Sequence, residues 1–180
     1  MSKTLILIPS RLSATRLPGK PLLEINGIPM ILHVVNKALS TKIGRVIVAT
    51  EDKEIFDVVK ESGNEVLMTG SHHKTGTDRI YEAIQKLGRS DIDYIMNLQG
   101  DEPLMNIEDI KNLNNKMIQT KSKLGTLASS ISDNKLFNNQ NVVKVITKES
   151  LDTSEFPEAL DFMRKTLNVS KNIYHHLGIY

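Results

Sequence analysis

The hydrophobic residues of this 180-residue chain occur in two patterns that alternate along the sequence. Continuous apolar runs rich in β-branched residues are typical of strands buried on both faces of a parallel sheet. Between these runs, apolar residues recur every three or four positions, which predicts helices with one buried face. The predicted strands cover residues 5–8, 45–49, 65–68, 94–98 and 142–146, and the predicted helices cover 30–39, 55–59 and 80–87.

The alternation of strands and helices has the spacing of βαβ units and predicts an α/β fold. We expect a Rossmann-like, mostly parallel sheet with helices on both faces, in a single domain over residues 1–180. The Asn-rich segment 133–141 is predicted to be a loop around Phe137. Such sheets bind ligands beyond the carboxyl ends of their strands, so the segments that follow the strands are the candidates for a site.

The composition of the chain argues against several kinds of binding partner and of chemistry. Lys and Arg number 23, and Asp and Glu number 21, so the formal net charge is only +2. This balance argues against binding to nucleic acid or to a membrane through overall charge, and no apolar run approaches the roughly 20 residues of a membrane span. The chain has no cysteine, which excludes disulfides, thiolate metal sites and a cysteine nucleophile; the reducing cytoplasm is the expected compartment.

A basic loop follows the first predicted strand. Within residues 9–22 it contains Arg11, Arg16 and Lys20, together with Gly19. Guanidinium groups form forked contacts with phosphate oxygens, lysine adds a point charge, and glycine lets backbone N–H groups approach closely. The loop therefore predicts a polyphosphate site, and the alternative is a solvated basic loop. Three prolines stiffen the segment, which favours the first interpretation.

Two common phosphate-binding motifs are excluded at this loop. The GxxxxGK[ST] motif fails because Lys20 is followed by Pro21, which leaves no hydroxyl for Mg²⁺. The GxGxxG dinucleotide motif fails because Gly19 is the one glycine of the loop. A P-loop kinase and a Rossmann dehydrogenase are therefore disfavoured.

An acidic turn, Gln-Gly-Asp-Glu-Pro at 99–103, follows the fourth predicted strand. A carboxylate at the end of a strand is a common ligand for the Mg²⁺ of a nucleoside triphosphate, and Asp101 is the candidate here. Glu102 is the alternative ligand. The structural alternative for Asp101 is a helix cap or an Asx turn.

Six segments, in this order, resemble the 3-deoxy-manno-octulosonate cytidylyltransferase family (CMP-Kdo synthetases): 11–22, 67–69, 73–79, 97–103, 143–145 and 176–180. The resemblance runs from residue 4 to the end of the chain. Related nucleotidyltransferases for sialic acid, methylerythritol phosphate or hexosamine phosphate differ at these segments, most visibly in the basic loop. Six segments in the same order are far more specific than any single motif.

The resemblance implies a nucleotidyltransferase fold and a reaction in which CTP and Kdo give CMP-Kdo and pyrophosphate, for lipopolysaccharide synthesis in a Gram-negative cell. Mg²⁺ is the implied cofactor, and a homodimer is the implied assembly. The catalytic residues it implies are Arg11, Lys20 and Asp101, with Asp101 as the Mg²⁺ ligand. The implied nucleotide-binding residues are Arg11, Arg16, Lys20, Met68, Thr69, Gly76, Thr77, Arg79 and Gln99. The implied sugar-binding residues are Gln99, Arg164, His176 and Tyr180.

For some of these residues a purely structural role is the alternative to ligand binding. Thr75 and Asp78 have the spacing of a helix capping box, and such a helix N-terminus also favours anions. His176, taken alone, is most simply a hydrogen-bonded histidine with no ligand. Arg164 lies in a segment that departs from the family, because Asp161 and Met163 stand where a tyrosine and a serine are usual.

Members of the family continue for several tens of residues beyond the segment that ends here at Tyr180. That part supplies a second metal-binding aspartate, further sugar contacts and much of the dimer surface. We therefore expect a chain truncated relative to the family, either as a fragment or with the missing part supplied otherwise. If the protein ends at Tyr180, we expect CTP binding to be retained, with little transfer activity and poor solubility. The alternatives are an inactive CTP-binding module and a related cytidylyltransferase for another sugar acid or base.

Overall fold

The computed structural model describes residues 3–13, 17–88, 91–165 and 172–180. The strands in this part of the chain are β1 (Thr4–Ser10), β2 (Glu24–Ile25), β3 (Ile28–Pro29), β4 (Gly44–Thr50), β5 (Val66–Met68), β6 (Tyr94–Asn97), β7 (Leu127–Ser129), β8 (Lys144–Thr147), β9 (Ala159–Met163) and β10 (Ile173–Leu177). The helices are α1 (Met30–Thr41), α2 (Lys53–Glu61), α3 (Gly76–Leu87), α4 (Ile107–Thr120) and α5 (Asn134–Asn138). No helix in these ranges is long and apolar enough to cross a membrane.

The centre of the molecule is a parallel sheet with the strand order β5-β4-β1-β6. Successive side chains of β1 point to opposite faces, as in any strand. Ile6 and Ile8 are fully buried against α1, α2 and α4, whereas Leu5 and Leu7 are buried against α3. Both faces are therefore covered, which is why the strand sequences are continuous apolar runs. The predicted α/β fold class and the first four predicted strands are confirmed.

The second sheet is antiparallel, with the order β7-β10-β8-β9. The fifth predicted strand is present as β8, but it lies in this sheet, so its expected place in the parallel sheet is wrong. An apolar run records burial and not strand direction, which explains the error. The predicted loop at 133–141 is also wrong in part, because it contains α5, where Asp133 caps the helix by accepting from the Lys135 N–H at 2.7 Å.

The two sheets meet at Asn97, the last residue of β6. The Asn97 N–H donates to the Tyr180 carbonyl at 2.6 Å, and the Tyr180 N–H donates back to the Asn97 carbonyl at 3.2 Å. Leu98 and Ile179 form an isolated antiparallel bridge beside this pair. The end of β6 therefore lies between the parallel sheet and the residues that follow β10.

Candidate active site

A cavity of about 430 Å³ opens at the carboxyl ends of β1 and β6. Its walls are the loop after β1, the turn after β6, the start of α3, and Tyr180. These segments converge because β1 and β6 are parallel neighbours, so their carboxyl ends share one edge of the sheet. The predicted site residues that line the cavity are Arg11, Lys20, Gly76, Thr77, Arg79, Gln99, Asp101 and Tyr180.

Two glycines allow the loop and the turn to approach each other. At Gly19 the backbone has φ +71°, a conformation that glycine adopts without strain, and the Gly19 N–H donates to the Leu12 carbonyl at 3.0 Å. At Gly100 a Cβ atom would lie 3.1 Å from the Pro9 carbonyl oxygen, so a side chain would push the turn away from β1. The spacing of the cavity walls depends on both positions.

Opposite charges meet across the cavity. Lys20 Nζ lies 2.9 Å from Asp101 Oδ2, and the exposed Arg11 lines the same space. The Lys20 and Asp101 side chains are 33% and 45% exposed, so their ion pair adds little stability and exchanges readily for a ligand. Arg16, the third predicted cation, lies outside the described residues.

Of the two acidic residues in the turn, only Asp101 lines the cavity. Glu102 is half-buried, and its pKa is raised first by that burial and then by the charge of Asp101. Asp101 is also the one acidic side chain among the described residues of the cavity wall. The geometry therefore favours Asp101 over Glu102 as the group that faces a bound cation.

Two buried polar atoms in the cavity wall are unsatisfied. Ser10 Oγ and Asn97 Oδ1 have no hydrogen-bond partner within the described ranges, although both residues are buried and line the cavity. An unpaired buried polar atom costs about 1–3 kcal/mol, so such atoms commonly mark a place for an ion, a ligand or water. Neither residue was predicted from the sequence. The signal was a polar residue at the end of a buried apolar run.

The start of α3 is a capping box. Thr75 Oγ1 accepts from the Asp78 N–H at 3.1 Å, and the Asp78 carboxylate accepts from the Thr75 N–H at 3.2 Å. The hydrogen bond from the Thr75 side chain is the main reason that the pKa of Asp78 lies below its usual range. The capping interpretation is confirmed. Gly76 and Thr77 nevertheless line the cavity, so the positive end of this helix faces it.

Arg79 lies beneath this helix start and is 2% exposed. Its guanidinium forms an ion pair with Glu51 and donates to Thr69 Oγ1 and to the Gly70 carbonyl. Thr69 is thus engaged by Arg79 and does not line the cavity, and neither does the exposed Met68. Their nucleotide contacts stay predictions. Glu51 was missed because nothing in its local sequence indicates a partner 28 positions away.

A second cavity of about 940 Å³ adjoins the first. The two share Thr77 and Tyr180, whose hydroxyl groups are hydrogen-bonded at 2.8 Å. His176 lines the second cavity, and its Nε2 lies 2.8 Å from Thr126 Oγ1. Burial lowers the pKa of His176, so its ring is neutral near pH 7. The predicted sugar-binding residues Tyr180 and His176 therefore both line the second cavity, which borders the first at Tyr180.

Arg164 is placed differently from the other predicted sugar-binding residues. Its guanidinium donates to the carbonyl groups of Gln140 at 3.4 Å and Asn141 at 3.2 Å. It belongs to the wall of neither of the two cavities just described. A role for Arg164 at the sugar stays a prediction.

A parallel sheet with a cation-rich loop and a carboxylate at its carboxyl edge is typical of nucleotidyltransferases of Rossmann-like fold. A family model described as "Cytidylyltransferase" matches residues 5–180. The 3-deoxy-manno-octulosonate cytidylyltransferase of Rhodopseudomonas palustris (strain BisB5) is 44% identical over 179 residues, which cover 98% of this chain and 72% of that protein. The chain belongs to the 3-deoxy-manno-octulosonate cytidylyltransferase family.

A second relative and a solved structure support this family assignment, and a more distant structure supports the fold. The enzyme of the same name from Brucella abortus (strain 2308) is 41% identical over 99% of this chain and 71% of its own length. The solved structure of CMP:2-keto-3-deoxy-manno-octonic acid synthetase complexed with CTP has a TM-score of 0.85 at 35% identity, over 99% of this chain and 73% of that one. A 4-diphosphocytidyl-2C-methyl-D-erythritol synthase structure, 15% identical with a TM-score of 0.60, shares the fold.

Proposed function

We propose that this chain binds CTP in the first cavity and transfers CMP to Kdo, with release of pyrophosphate. The observation that carries the proposal is the meeting of Arg11 and Lys20 with Asp101 in one cavity at the carboxyl edge of the parallel sheet. Membership of the family supports the substrates, because its members are named for this reaction and a relative has been solved with CTP.

In the proposed reaction, the anomeric hydroxyl oxygen of Kdo attacks the α-phosphorus of CTP in line. The new O–P bond forms as the bond between the α-phosphorus and the oxygen that bridges to the β-phosphorus breaks. Pyrophosphate leaves with that oxygen, and the hydroxyl proton passes to water. Little covalent chemistry falls to the protein, so its task is to position the reactants and to neutralise charge. Arg11 and Lys20 would hold the triphosphate oxygens and stabilise the charge that develops on pyrophosphate.

The cavity wall has the donor set that suits Mg²⁺. This ion prefers oxygen ligands and commonly takes one or two carboxylates together with substrate phosphates. Asp101 would hold the ion, with the unsatisfied oxygens of Ser10 and Asn97 on the same wall. When bound, Mg²⁺ supplies polarisation of the phosphoryl group and stabilisation of the leaving pyrophosphate. Lys20 would then pass from Asp101 to the phosphates.

Kdo would occupy the second cavity, because that cavity borders the first and shares Thr77 and Tyr180 with its wall. Gln99 borders the first cavity and His176 the second, so a ligand that spans the two would meet both. A homodimer, a cytoplasmic location and the absence of nucleic-acid and membrane partners stay predictions.

Calorimetric titration of the chain with CTP or UTP, each with Mg²⁺, tests the proposed base choice. We expect CTP to bind at least about tenfold more tightly than UTP, because a site that pairs with the cytosine amino group leaves polar groups unpaired against uracil. Repeating the CTP titration with Kdo present tests the transferase. Coupling between the two ligands supports a joint site, whereas CTP binding without coupling supports the alternative of a CTP-binding module. Equal affinity for CTP and UTP contradicts the proposal.

The variant Asp101→Asn tests the proposed magnesium ligand, because its effect on CTP affinity should be opposite with and without Mg²⁺. Without Mg²⁺ we expect it to bind CTP more tightly than the parent chain, because a negative charge is removed and Lys20 is freed. With Mg²⁺ we expect it to bind CTP at least about tenfold more weakly than the parent, because a ligand of the ion is lost. Glu102→Gln is the matched control, since it removes a neighbouring negative charge from a residue that does not line the cavity, and its CTP affinity should respond to Mg²⁺ as the parent's does. An Asp101→Asn variant that responds to Mg²⁺ like the parent chain would refute the assignment.

A further inference from the structure

Three side chains of types that ligate metal ions cluster outside the site described above. One ring nitrogen of His72, one of His73 and a carboxylate oxygen of Glu82 all lie within 4.8 Å of one another. The two histidines belong to the segment between β5 and α3, and Glu82 is on α3. None of the three lines the first or the second cavity.

The backbone holds this cluster together. The Gly70 N–H donates to Glu82 Oε2 at 2.8 Å, and His73 Nε2 is in contact with the same oxygen. A Cβ atom at Gly70 would come within 2.5–2.6 Å of two His72 ring atoms, so glycine is what allows the His72 ring to fold back over the segment. The segment therefore wraps around the Glu82 carboxylate and brings both imidazoles to it.

The types of ligand atom in the cluster indicate which class of metal ion it would bind. Two imidazoles and one carboxylate suit Zn²⁺ and the neighbouring divalent transition ions, and they leave one coordination position open. Mg²⁺ prefers oxygen ligands and is not expected here. The His73 and Glu82 side chains are only 10% and 21% exposed, so a bound ion would be partly shielded from water.

Lys86 is the positive group that faces the cluster. Lys86 Nζ lies 2.7 Å from Glu82 Oε1 and donates to the Met68 carbonyl at 2.9 Å. The ammonium therefore holds one carboxylate oxygen, while His73 contacts the other. A metal ion at Oε2 would replace the direct contact of His73 with Glu82 and would be weakened by the nearby charge of Lys86.

We propose that His72, His73 and Glu82 bind one divalent transition-metal ion of the Zn²⁺ class. This site is separate from the proposed magnesium ligand Asp101. It fixes the segment that leads into α3, whose first residues line the first cavity. The proposal does not depend on the transferase function.

The test is calorimetric titration of Zn²⁺ into the metal-free chain, made without a histidine tag. We expect one strong site in the parent chain and a loss of at least about tenfold in affinity in His72→Ala. His72 is exposed, and its removal leaves the contacts of Glu82 with Gly70, His73 and Lys86 in place. The matched control is His33→Ala, because His33 bonds to the Ile25 carbonyl and has no part in the cluster.

Two further measurements make the result specific. Lys86→Met should bind Zn²⁺ more tightly than the parent chain, because it removes a positive charge beside the ion. Co²⁺ in place of Zn²⁺ should give the intense visible absorption of a four-coordinate site, and His72→Ala should lose it. The proposal is overturned if His72→Ala binds Zn²⁺ as the parent does, if Lys86→Met binds it more weakly, or if Co²⁺ gives only the faint spectrum of the hydrated ion.

Discussion

Lys20→Met weakens the binding of CTP in the presence of Mg²⁺ by about tenfold to a hundredfold. Lys20 Nζ is the cation that faces Asp101 across the first cavity, and a triphosphate bound there would exchange the carboxylate for its own oxygens. A hydrogen bond to a charged group contributes about 1.5–3 kcal/mol, which corresponds to this loss of affinity. Methionine keeps most of the side-chain volume, so the change isolates the charge. Calorimetric titration with CTP measures the effect.

The matched control for this variant is Lys111→Met. Lys111 pairs with Glu108 on the exposed side of α4 and lies outside the cavity wall, so its loss changes the net charge by the same amount. We expect CTP affinity to stay within about twofold of the parent at physiological salt, because Lys111 does not line the cavity and salt screens exposed charges. Equal losses in Lys20→Met and Lys111→Met would mean that CTP is attracted by overall charge, with no contact at Lys20.

Arg79→Met lowers the free energy of unfolding by about 3–5 kcal/mol, because it leaves Glu51 as a nearly buried charge without its partner. The substitution also removes the donors to Thr69 and Gly70. Domains of this kind are stable by only about 5–15 kcal/mol, so the loss is a large share of the total. Urea denaturation followed by circular dichroism measures it.

Arg45→Met is the control for Arg79→Met, because it breaks an ion pair that is exposed. Arg45 and Glu65 are 36% and 51% exposed, so we expect a loss of no more than about 1 kcal/mol. Adding Glu51→Gln to Arg79→Met should recover part of the stability, since it removes the stranded charge. Equal losses in Arg79→Met and Arg45→Met would show that burial of the Glu51 pair has no special consequence.

The sequence predicts the parallel sheet well because its strands are buried on both faces. The runs that became β1, β4, β5 and β6 contain few polar residues, and the helices between them keep one apolar face. The antiparallel sheet was not predicted, and the reason is physical. β9 is largely exposed, so it lacks the apolar run that marks a buried strand, and the apolar run of β8 fits either sheet.

The site residues that the sequence predicts are those with a local signal, and the ones it misses depend on contacts between residues far apart in the chain. Arg11, Lys20 and Asp101 were identified because they lie in the basic loop and the acidic turn that follow two predicted strands. The unsatisfied atoms of Ser10 and Asn97 depend on how two strand ends pack together, and the local sequence shows only a polar residue at the end of an apolar run. The pairing of Arg79 with Glu51 likewise joins residues 28 positions apart.

Tyr180 gives the molecule a built-in optical reporter. The chain contains no tryptophan and four tyrosines, so its ultraviolet emission comes from phenol rings without the stronger signal of indole. Tyr180 is the one tyrosine in the wall of the first cavity, and its hydroxyl is held by Thr77. A molecule that displaces this hydrogen bond or stacks on the ring changes the brightness of a quarter of the fluorophores, so occupancy of the cavity can be followed without a label.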